Sequence, residues 1–296
     1  MVKSKKIGFI GLGLMGGAMV ERLQTKGHTL NVLANRSRIQ VDAAIARGAT
    51  EVSSARDLAA NSDIVMLCMD TSANVESRMR GGDGVIAGLR RDTVVIDFGT
   101  SLPASTKTLG SEVAAAGGTY LDAPLGRTPA HAIHGQLNIL VSGDKAAFDR
   151  VKPTLDDLGE NVFHLGPLGT GHSIKLMNNF FGMTVANAMA EVFAIADIAG
   201  IERQSVYDVI AAGPLRSGMM DFVAAYALEG DDRKLEFAIK NARKDVGYYQ
   251  QMTQDAGASS VMSQGAFAAL SDAVSSGSGE DYVCKMVDYY SKKLKE

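Results

Sequence analysis

Lys175 and Asn179 are the two residues whose types and spacing most directly suggest chemistry. They lie in the segment GTGHSIKLMNN, which opens a long apolar stretch with a helical pattern. Residues four apart on a helix share one face, so both side chains would project from the same side near its beginning. An ammonium group held there could act as a general acid. The alternative is a surface lysine whose aliphatic part lies along the apolar helix.

A second pattern, near the amino terminus, is typical of a dinucleotide-binding site. The apolar segment KKIGFIG leads into Gly11, Gly13 and Gly16 in the spacing G-x-G-x-x-G, and a helical stretch, Ala18–Lys26, follows. The first glycine permits the tight turn, the second lets the backbone approach a pyrophosphate, and the third allows close helix–strand packing. The helix N-terminus then directs its amide groups toward the phosphates. The alternative is a tight strand-to-helix turn that binds nothing.

The residues after the second apolar segment indicate which dinucleotide is preferred. The segment TLNVLA ends where an NAD site carries an Asp or Glu for the ribose 2′-hydroxyl group, but this chain has Asn35, Arg36, Ser37 and Arg38 there. A carboxylate would repel a 2′-phosphate, whereas guanidinium groups and a hydroxyl bind one through charge-assisted hydrogen bonds. We therefore expect NADP(H) to be preferred, with NAD(H) possible. The alternative is a solvated basic turn.

Composition points to an ordinary globular protein of the cytoplasm. The 296 residues are 46% apolar and 21% charged, and this length suits two domains with a substantial core. The net charge of −3 argues against a nucleic-acid partner. Two cysteines, Cys68 and Cys284, cannot form a disulfide framework and fit a reducing compartment. No apolar run approaches the roughly 20 residues of a membrane-crossing helix, so we also expect no membrane partner.

The order of the apolar segments predicts an α/β chain. In the first half, short strands alternate with helical stretches, which implies a mainly parallel sheet covered by helices on both faces. The predicted strands are Ile7–Ile10, Leu30–Leu33, Ile64–Met69, Thr93–Asp97, Thr119–Leu121, Leu137–Val141 and Val162–Leu165. The second half is helical in period. Its predicted helices cover residues 169–200, Gln204–Ala212, Met219–Leu228, Phe237–Ala256 and Ser263–Ser275.

The pair Gly166-Pro167 marks the natural boundary between the two halves. We predict an N-terminal Rossmann-type domain over residues 1–166 and a C-terminal all-α domain over residues 167–296, joined by the long helix. The glycine- and serine-rich segment Ser275–Gly279 is predicted to be a loop.

Four blocks of sequence, taken together, resemble the β-hydroxyacid dehydrogenase family. They are Gly11–Gly16 with Met15, the triplet Asp122-Ala-Pro124, the segment Gly169–Asn179, and the pair Lys244-Asp245. They occur in the right order and spacing over essentially the whole chain. The family includes 3-hydroxyisobutyrate dehydrogenase and tartronate semialdehyde reductase.

The resemblance implies roles for particular residues. Lys175 would be the catalytic lysine, Asn179 its substrate-orienting partner, and Asn178 a neighbouring substrate-binding residue. Thr100 would lie near the nicotinamide, and Lys244 would reach toward the cofactor from the helical domain. The remaining cofactor-binding residues would be Leu14, Met15 and Met69, beside the three glycines and the segment Asn35-Arg36-Ser37.

The loop after Asp122-Ala-Pro124 departs from the family pattern. The family's usual Val-Ser-Gly-Gly is replaced by Leu125, Gly126, Arg127 and Thr128. This variant resembles the loop of 3-sulfolactaldehyde reductase, and an arginine, a hydroxyl and a backbone amide would together match the three oxygens of a sulfonate. The alternatives are that Arg127 forms a salt bridge with a nearby acid, or that it binds a carboxylate.

The resemblance implies hydride transfer between NADP(H) and a small anionic aldehyde or its hydroxy acid. The substrate is either 3-sulfolactaldehyde or a carboxylate such as glyoxylate, succinic semialdehyde or tartronate semialdehyde. We expect a homodimer or homotetramer, as is usual in the family. Two other classes share the architecture: an imine reductase, which typically lacks a lysine at position 175, and a non-catalytic dinucleotide-binding module. We expect no metal, because His131 and His134 have no third ligand.

Overall fold

The computed structural model describes residues 5–35 and 37–295. Its strands are β1 (Lys6–Ile10), β2 (Thr29–Leu33), β3 (Thr50–Val52), β4 (Ile64–Leu67), β5 (Val94–Asp97), β6 (Thr119–Asp122), β7 (Leu125–Gly126), β8 (Leu137–Gly143) and β9 (Gly159–His164). Its first eight helices are α1 (Leu14–Thr25), α2 (Ile39–Ala46), α3 (Ala55–Ala60), α4 (Ser72–Met79), α5 (Val85–Gly88), α6 (Pro103–Ala115), α7 (Pro129–Ile133) and α8 (Lys145–Asp156). The remaining helices are α9 (Thr170–Ile198), α10 (Arg203–Ala211), α11 (Gly218–Glu229), α12 (Ile239–Asp255), α13 (Ser263–Ala273) and α14 (Met286–Lys293).

The sheet has the strand order β3-β2-β1-β4-β5-β6, in which all neighbours are parallel. Strand β8 is antiparallel to β6 and to β7, and β9 is parallel to β8. Chain order reverses between β1 and β4, and the crevice at such a reversal, at the carboxyl ends of the strands, is where open α/β sheets bind ligands. The carboxyl ends of six parallel strands therefore share one edge of the sheet.

Both faces of the parallel sheet are covered by helices, which explains its continuous apolar strands. In β4, Ile64 and Met66 belong to one buried cluster, whereas Val65 and Leu67 belong to another on the opposite face. Strands buried on both faces show an unbroken apolar run instead of an alternating pattern.

The chain divides into two compact units between Lys175 and Leu176. The first contains the sheet and the helices up to α8. The second contains α10 to α14 and most of α9, and its core includes Phe193, Val246 and Leu270. The fold class predicted from the sequence, a Rossmann-type unit followed by a helical one with a long helix at the junction, is confirmed.

Most element predictions agree with the structure to within a few residues. The sequence analysis missed β3 and β7, which have three and two residues and are too short to show a period. It also missed α14. The loop predicted over Ser275–Gly279 is wrong in part, because Val274–Ser278 forms a π-helical turn; Gly277 lies inside it with φ of 95°.

The sequence analysis expected no segment long and apolar enough to cross a membrane, but helix α9 is one. Its 29 residues contain a window of mean hydropathy 1.3, which meets that test by length and composition alone. Of that window, 44% is buried inside the protein. A core helix of a water-soluble fold meets the same test, so the finding is weak support for a membrane segment.

Candidate active site

The three glycines of the G-x-G-x-x-G motif form the turn between β1 and α1. Gly11 has φ of 96°, which favours glycine, and a Cβ atom there would lie 2.2 Å from the carbonyl oxygen of Cys68, next to β4. A Cβ atom on Gly16 would lie 2.0 Å from the carbonyl oxygen of Gly11. Both positions therefore require glycine for packing within the turn.

Gly13 differs from the other two glycines because it faces open space. A Cβ atom there would meet no described atom within 4 Å. Gly13 is the N-cap of α1 but provides no side chain to cap it, and the first turn of the helix carries no acidic residue. The first amide groups of α1 are thus available to an anion, as they are in phosphate-binding helix termini. The two following residues differ in burial: Leu14 is 76% exposed, whereas Met15 is half-buried against the core.

The other predicted cofactor residues of the first unit follow the carboxyl ends of neighbouring parallel strands. Asn35 and Ser37 come after β2 and are exposed, whereas Met69, after β4, and Thr100, after β5, are half-buried. Arg36 lies outside the described residues. Because the strands are parallel and adjacent, these residues lie along the same edge of the sheet as the glycine turn.

The cations near Asn35 differ from those expected from the sequence. Arg38, predicted to help bind a 2′-phosphate, instead donates to Asp42 at 2.8 Å and to Glu51 at 3.0 Å. Its hydrogen bonds lower the pKa of the Glu51 carboxyl. Arg78 of α4 donates from Nη2 to Oδ1 of Asn35 at 2.9 Å. Helix α4 therefore brings a second cation to the turn after β2, and sequence reasoning missed it.

The residues present fit a bound dinucleotide. The space at Gly13, the uncapped amide groups of α1 and the polar turn after β2 lie along one edge of the sheet, within the first unit. Gly11, Gly13 and Gly16 would hold the pyrophosphate, and Asn35 and Ser37 the ribose that follows it. Bound there, a reduced nicotinamide dinucleotide supplies a hydride ion.

The start of α9 is fixed by the buried carboxylate of Asp122, at the end of β6. Its Oδ1 accepts from the amide of Gly169 at 2.8 Å, and its Oδ2 from the amide of His172 at 2.7 Å. Ser142 donates its hydroxyl to Asp122 and accepts from the amide of Gly171 at 2.9 Å. A carboxylate at a helix N-terminus satisfies amides that have no partner in the helix and interacts favourably with its dipole.

The imidazole of His172 lies among buried polar side chains close to this N-terminus. Its Nδ1 is 2.7 Å from the hydroxyl of Thr106, and its Nε2 is 3.8 Å from Oδ2 of Asp97. That Nε2 has no hydrogen-bond partner among the described residues. Asp97 accepts from the amide of Gly99 at 2.8 Å, which fixes the backbone just before Thr100.

Lys175 and Asn179 lie on α9 with the predicted four-residue spacing. Lys175 is half-buried, one turn beyond the residues that Asp122 holds, and Asn179 is buried. Asn178 is exposed and its amide nitrogen is 3.3 Å from Oδ1 of Asn179. The two candidate catalytic residues therefore share one face of the helix.

In the second unit, Asp245 of α12 fixes the side chain of Asn179. The amide nitrogen Nδ2 of Asn179 donates to Oδ2 of Asp245 at 2.6 Å, and Nζ of Lys244 lies 3.0 Å from Oδ1 of the same carboxylate. Asp245 is 2% exposed. Next to it, the rings of Phe180 and Tyr249 stack at 4.2 Å. A buried carboxylate thus orders Asn179 and forms an ion pair with Lys244.

The loop after Asp122-Ala-Pro124 places Arg127 in an ion pair. Its Nη1 donates to the carbonyl of Gln136 at 2.7 Å and pairs with the carboxylate of Glu160. Thr128 lies next to it, with its hydroxyl 2.8 Å from Nδ1 of His131. Gly126 ends β7, and a Cβ atom there would lie 3.2 Å from Cβ of Asn138. The salt bridge named as an alternative in the sequence analysis is therefore present.

Comparisons with known proteins give the family. A model of the NAD-binding domain of 6-phosphogluconate dehydrogenase matches residues 6–166, and one described as NAD-binding of NADP-dependent 3-hydroxyisobutyrate dehydrogenase matches residues 169–290. The 2-(hydroxymethyl)glutarate dehydrogenase of Eubacterium barkeri is 31% identical over 83% of this chain and 82% of its own length. The chain belongs to the β-hydroxyacid dehydrogenase family.

Other similarities agree with this β-hydroxyacid dehydrogenase assignment. The 2-hydroxy-3-oxopropionate reductase of Escherichia coli strain K12 is 32% identical over 73% of both chains. A solved structure of Mycobacterium tuberculosis 3-hydroxyisobutyrate dehydrogenase with L-serine has a TM-score of 0.83 at 22% identity, covers 96% of this chain and 98% of that one, and shows a shared fold. The resemblance inferred from the four sequence blocks is confirmed, and the chain is an NAD(P)-dependent oxidoreductase.

Three residues of this β-hydroxyacid dehydrogenase were not identified as site residues from the sequence: Arg78, Asp245 and Glu160. Each acts on a predicted site residue that is distant along the chain. Asp245 had a signal, because it lies in the Lys244-Asp245 block. Among the described residues, no group of three or more His, Cys, Asp or Glu could hold a metal ion.

Proposed function

We propose that this β-hydroxyacid dehydrogenase reduces a short aldehyde that carries an anionic group, using NADPH, with Lys175 as the general acid. The observation that carries the proposal is the fixed start of α9. Asp122 holds the backbone at Gly169 and His172, and Lys175 follows one turn later on the same helix. A general acid must be held within hydrogen-bond reach of the oxygen that it protonates, and a capped, partly buried helix end provides that rigidity.

The proposed reaction is a hydride transfer followed by protonation. As the carbonyl carbon accepts the hydride, negative charge grows on the carbonyl oxygen. The ammonium of Lys175 stabilises this charge and gives its proton to the oxygen, which leaves the hydroxy compound and a neutral amine that water reprotonates. Nδ2 of Asn179 donates to Asp245, and Oδ1 accepts from Asn178. A carbonyl oxygen has two lone pairs, so Oδ1 could also accept from a substrate hydroxyl and orient it.

We propose a sulfonate, 3-sulfolactaldehyde, as the substrate. Support comes from the loop that carries Gly126, Arg127 and Thr128, which offers an amide, a guanidinium and a hydroxyl. The contacts of Arg127 with Gln136 and Glu160 use Nη1 alone, and the other guanidinium nitrogens suit an anion. The second candidate class is a carboxylate semialdehyde, supported by the similarity to 2-hydroxy-3-oxopropionate reductase.

Steady-state kinetics distinguish the two substrate classes. The chain is assayed with 3-sulfolactaldehyde, succinic semialdehyde, tartronate semialdehyde and glyoxylate, each with NADPH and NADH. We expect kcat/KM for the sulfonate to be the highest by about 100-fold, equivalent to about 2.7 kcal/mol of transition-state preference. A higher kcat/KM for one of the three carboxylates would reject the sulfonate assignment and leave Arg127 as a general anion-binding residue.

The variant Lys175→Ala tests the enzymatic role against a non-catalytic dinucleotide-binding module. We expect kcat to fall by about 10²- to 10⁴-fold, the usual contribution of a general acid, while the Kd for NADPH, from its own fluorescence, stays unchanged. Lys152→Ala, which removes an exposed lysine paired with Asp156 on α8, is the matched control. Equal turnover in Lys175→Ala and the parent chain would rule out Lys175 as the acid.

We also propose that the chain is a homodimer or homotetramer that self-associates through α9. The exposed apolar side chains of this helix support the proposal, because a monomer gains nothing by exposing them. They include Met177, Phe181, Val192 and Ile195. Light scattering after size exclusion should give a multiple of 31.2 kDa, and Ile195→Glu should shift it toward the monomer. A monomeric parent chain would contradict the proposal.

We propose a cytoplasmic location as well. Both cysteines, Cys68 and Cys284, are free thiols, as expected in a reducing compartment. Fractionation of cells that produce the chain should recover it with cytoplasmic marker enzymes. Recovery with the membrane fraction would instead assign α9 to a bilayer.

A further inference from the structure

Arg127 has an unusual backbone conformation. Its φ is 76°, and among the described residues only one other non-glycine residue, Asp92, also has a positive φ. Residues other than glycine rarely adopt this left-handed region, and where they do, the surrounding structure holds them there, often at functional sites. The Arg127 side chain contacts Gln136, just before β8, and Glu160, near the start of β9.

Glu160, which forms the ion pair with Arg127, lies at a β-bulge in β9. Leu137 of β8 pairs with Gly159 of β9, whereas the next residue, Asn138, pairs with Asn161. Glu160 is therefore the extra residue of the bulge. Asn161 donates from Nδ2 to Oδ1 of Asn138 at 2.9 Å. This hydrogen bond holds the strand register just after the bulge. Bulges redirect a side chain and occur often beside active sites.

The contacts of Arg127 engage one side of its guanidinium. Nη1 donates to both Gln136 and Glu160, and within the described residues Nε and Nη2 make no hydrogen bond. The Nε–Nη2 edge is one of the paired-donor edges with which arginine binds an oxyanion. The side chain as a whole is 31% exposed, so part of it is open to solvent.

We propose that Glu160 is a positioning residue that orients Arg127 to bind the anionic group of the substrate. The inference rests on the proposed function, since it requires an anionic substrate at this loop. A free arginine side chain loses rotamer freedom when it binds an anion, and a side chain already held in place loses less. Glu160 is 55% exposed, so solvent screens its own repulsion of the anion.

The test compares KM for substrates with and without the anionic group. In Glu160→Ala, KM for the preferred anionic aldehyde should rise about tenfold, while kcat changes by less than about twofold, because lost preorganisation weakens binding and not chemistry. KM for lactaldehyde, which lacks the sulfonate of 3-sulfolactaldehyde, should not change. Glu160→Gln keeps an acceptor for Nη1 and should restore most of the affinity. Glu112→Ala, which breaks a similarly exposed ion pair with Arg80, is the matched control.

A double-mutant cycle with Arg127→Gln separates this inference from the proposed function. If Arg127→Gln raises KM for the anionic aldehyde and Glu160→Ala adds nothing in that background, the two residues act as a unit and the inference holds. If Arg127→Gln raises KM and Glu160→Ala alone does not, or lowers it, Glu160 has no positioning role although the proposed function stands. If Arg127→Gln changes no KM, the anion-binding role of Arg127 itself fails.

Discussion

At the scale of single residues, Asp245 contacts two predicted site residues of the second unit. Its carboxylate is buried and contacts both the amide of Asn179 and the ammonium of Lys244. Buried carboxylates bind such partners strongly because charged hydrogen bonds contribute more than neutral ones. A change at this one position should therefore disturb two site residues together.

We expect Asp245→Ala to lower kcat/KM by about 10- to 100-fold, since hydrogen bonds to charged groups contribute about 1.5–3 kcal/mol. Asp245→Asn keeps an acceptor for Asn179 and loses the charge that pairs with Lys244. It should retain more of kcat, while KM for NADPH rises. Asp255→Ala, on the same helix, is the control, because its contact with Gln251 is exposed. Equal loss in Asp245→Asn and Asp245→Ala, with an equal fall in Tm, would indicate only a structural role.

At this scale, contacts between residues close in sequence could be predicted, and contacts between distant residues could not. The glycine turn and the Lys175–Asn179 pair are local patterns, so spacing alone gave their arrangement. Asp245 lies 66 residues from Asn179, and Glu160 lies 33 residues from Arg127. The Lys244-Asp245 block marked Asp245, but no period or spacing shows which distant residue it contacts. The contacts depend on how α9 packs against α12 and on a bulge in β9.

At the scale of elements, the N-terminus of α9 is held by Asp122, the last residue of β6. Replacing Asp122 by Ala would leave the amides of Gly169 and His172 buried without a partner. We expect the free energy of unfolding to fall by about 3 kcal/mol, from two charge-assisted hydrogen bonds. Urea unfolding followed by circular dichroism measures it. Asp144→Ala, which removes the N-cap contact of α8 with Ala147, should cost only about 1 kcal/mol. A similar cost for both variants would show that Asp122 is an ordinary cap.

Helix α4 brings the guanidinium of Arg78 to Asn35, in the turn after β2. Because Arg38 is already paired with Asp42 and Glu51, Arg78 is the described cation best placed for a 2′-phosphate. We expect Arg78→Gln to raise KM for NADPH about five- to tenfold and to leave KM for NADH unchanged. Arg80→Gln, two residues further on and turned toward Glu112, is the control. An equal rise for both cofactors would argue against contact with the phosphate.

Most elements of ordinary length were predictable, with α14 as an exception, and the short strands β3 and β7 were not. The buried strands β1, β4 and β5 have compact apolar runs that the sequence shows directly. Strand β3 has only three residues, none of them buried, and it forms because β2 offers it an edge. The turn at Val274–Ser278 has a loop-like composition and follows α13 directly, and at Gly277 its backbone leaves helical geometry.

At the scale of the whole molecule, we expect buried thiol and phenol groups to lower the stability of the fold at alkaline pH. Burial, followed by the charge of Asp97, raises the pKa of the Cys68 thiol to about 12. Burial and then Asp232 raise that of Cys284 to about 11, and burial and then Glu191 raise that of Tyr290 to about 12. In the unfolded chain these groups ionise near pH 8.5 for cysteine and about 10 for tyrosine. Cys68 lies in the first unit and Cys284 in the second.

The sign of this dependence follows from proton binding. At pH 10 the folded chain keeps protons on both thiols that the unfolded chain has mostly lost, so folding is favoured less as pH rises. Stability should be fully retained below about pH 8.5 and should decline between about pH 9 and 11, by up to about 1.4 kcal/mol per pH unit for each group. Urea unfolding at several pH values measures this slope. Replacing both cysteines by Ala should make the slope shallower, although it leaves the Tyr290 contribution in place. An unchanged slope in that double variant would mean that the thiols already ionise in the folded protein, and that their burial does not control alkaline unfolding.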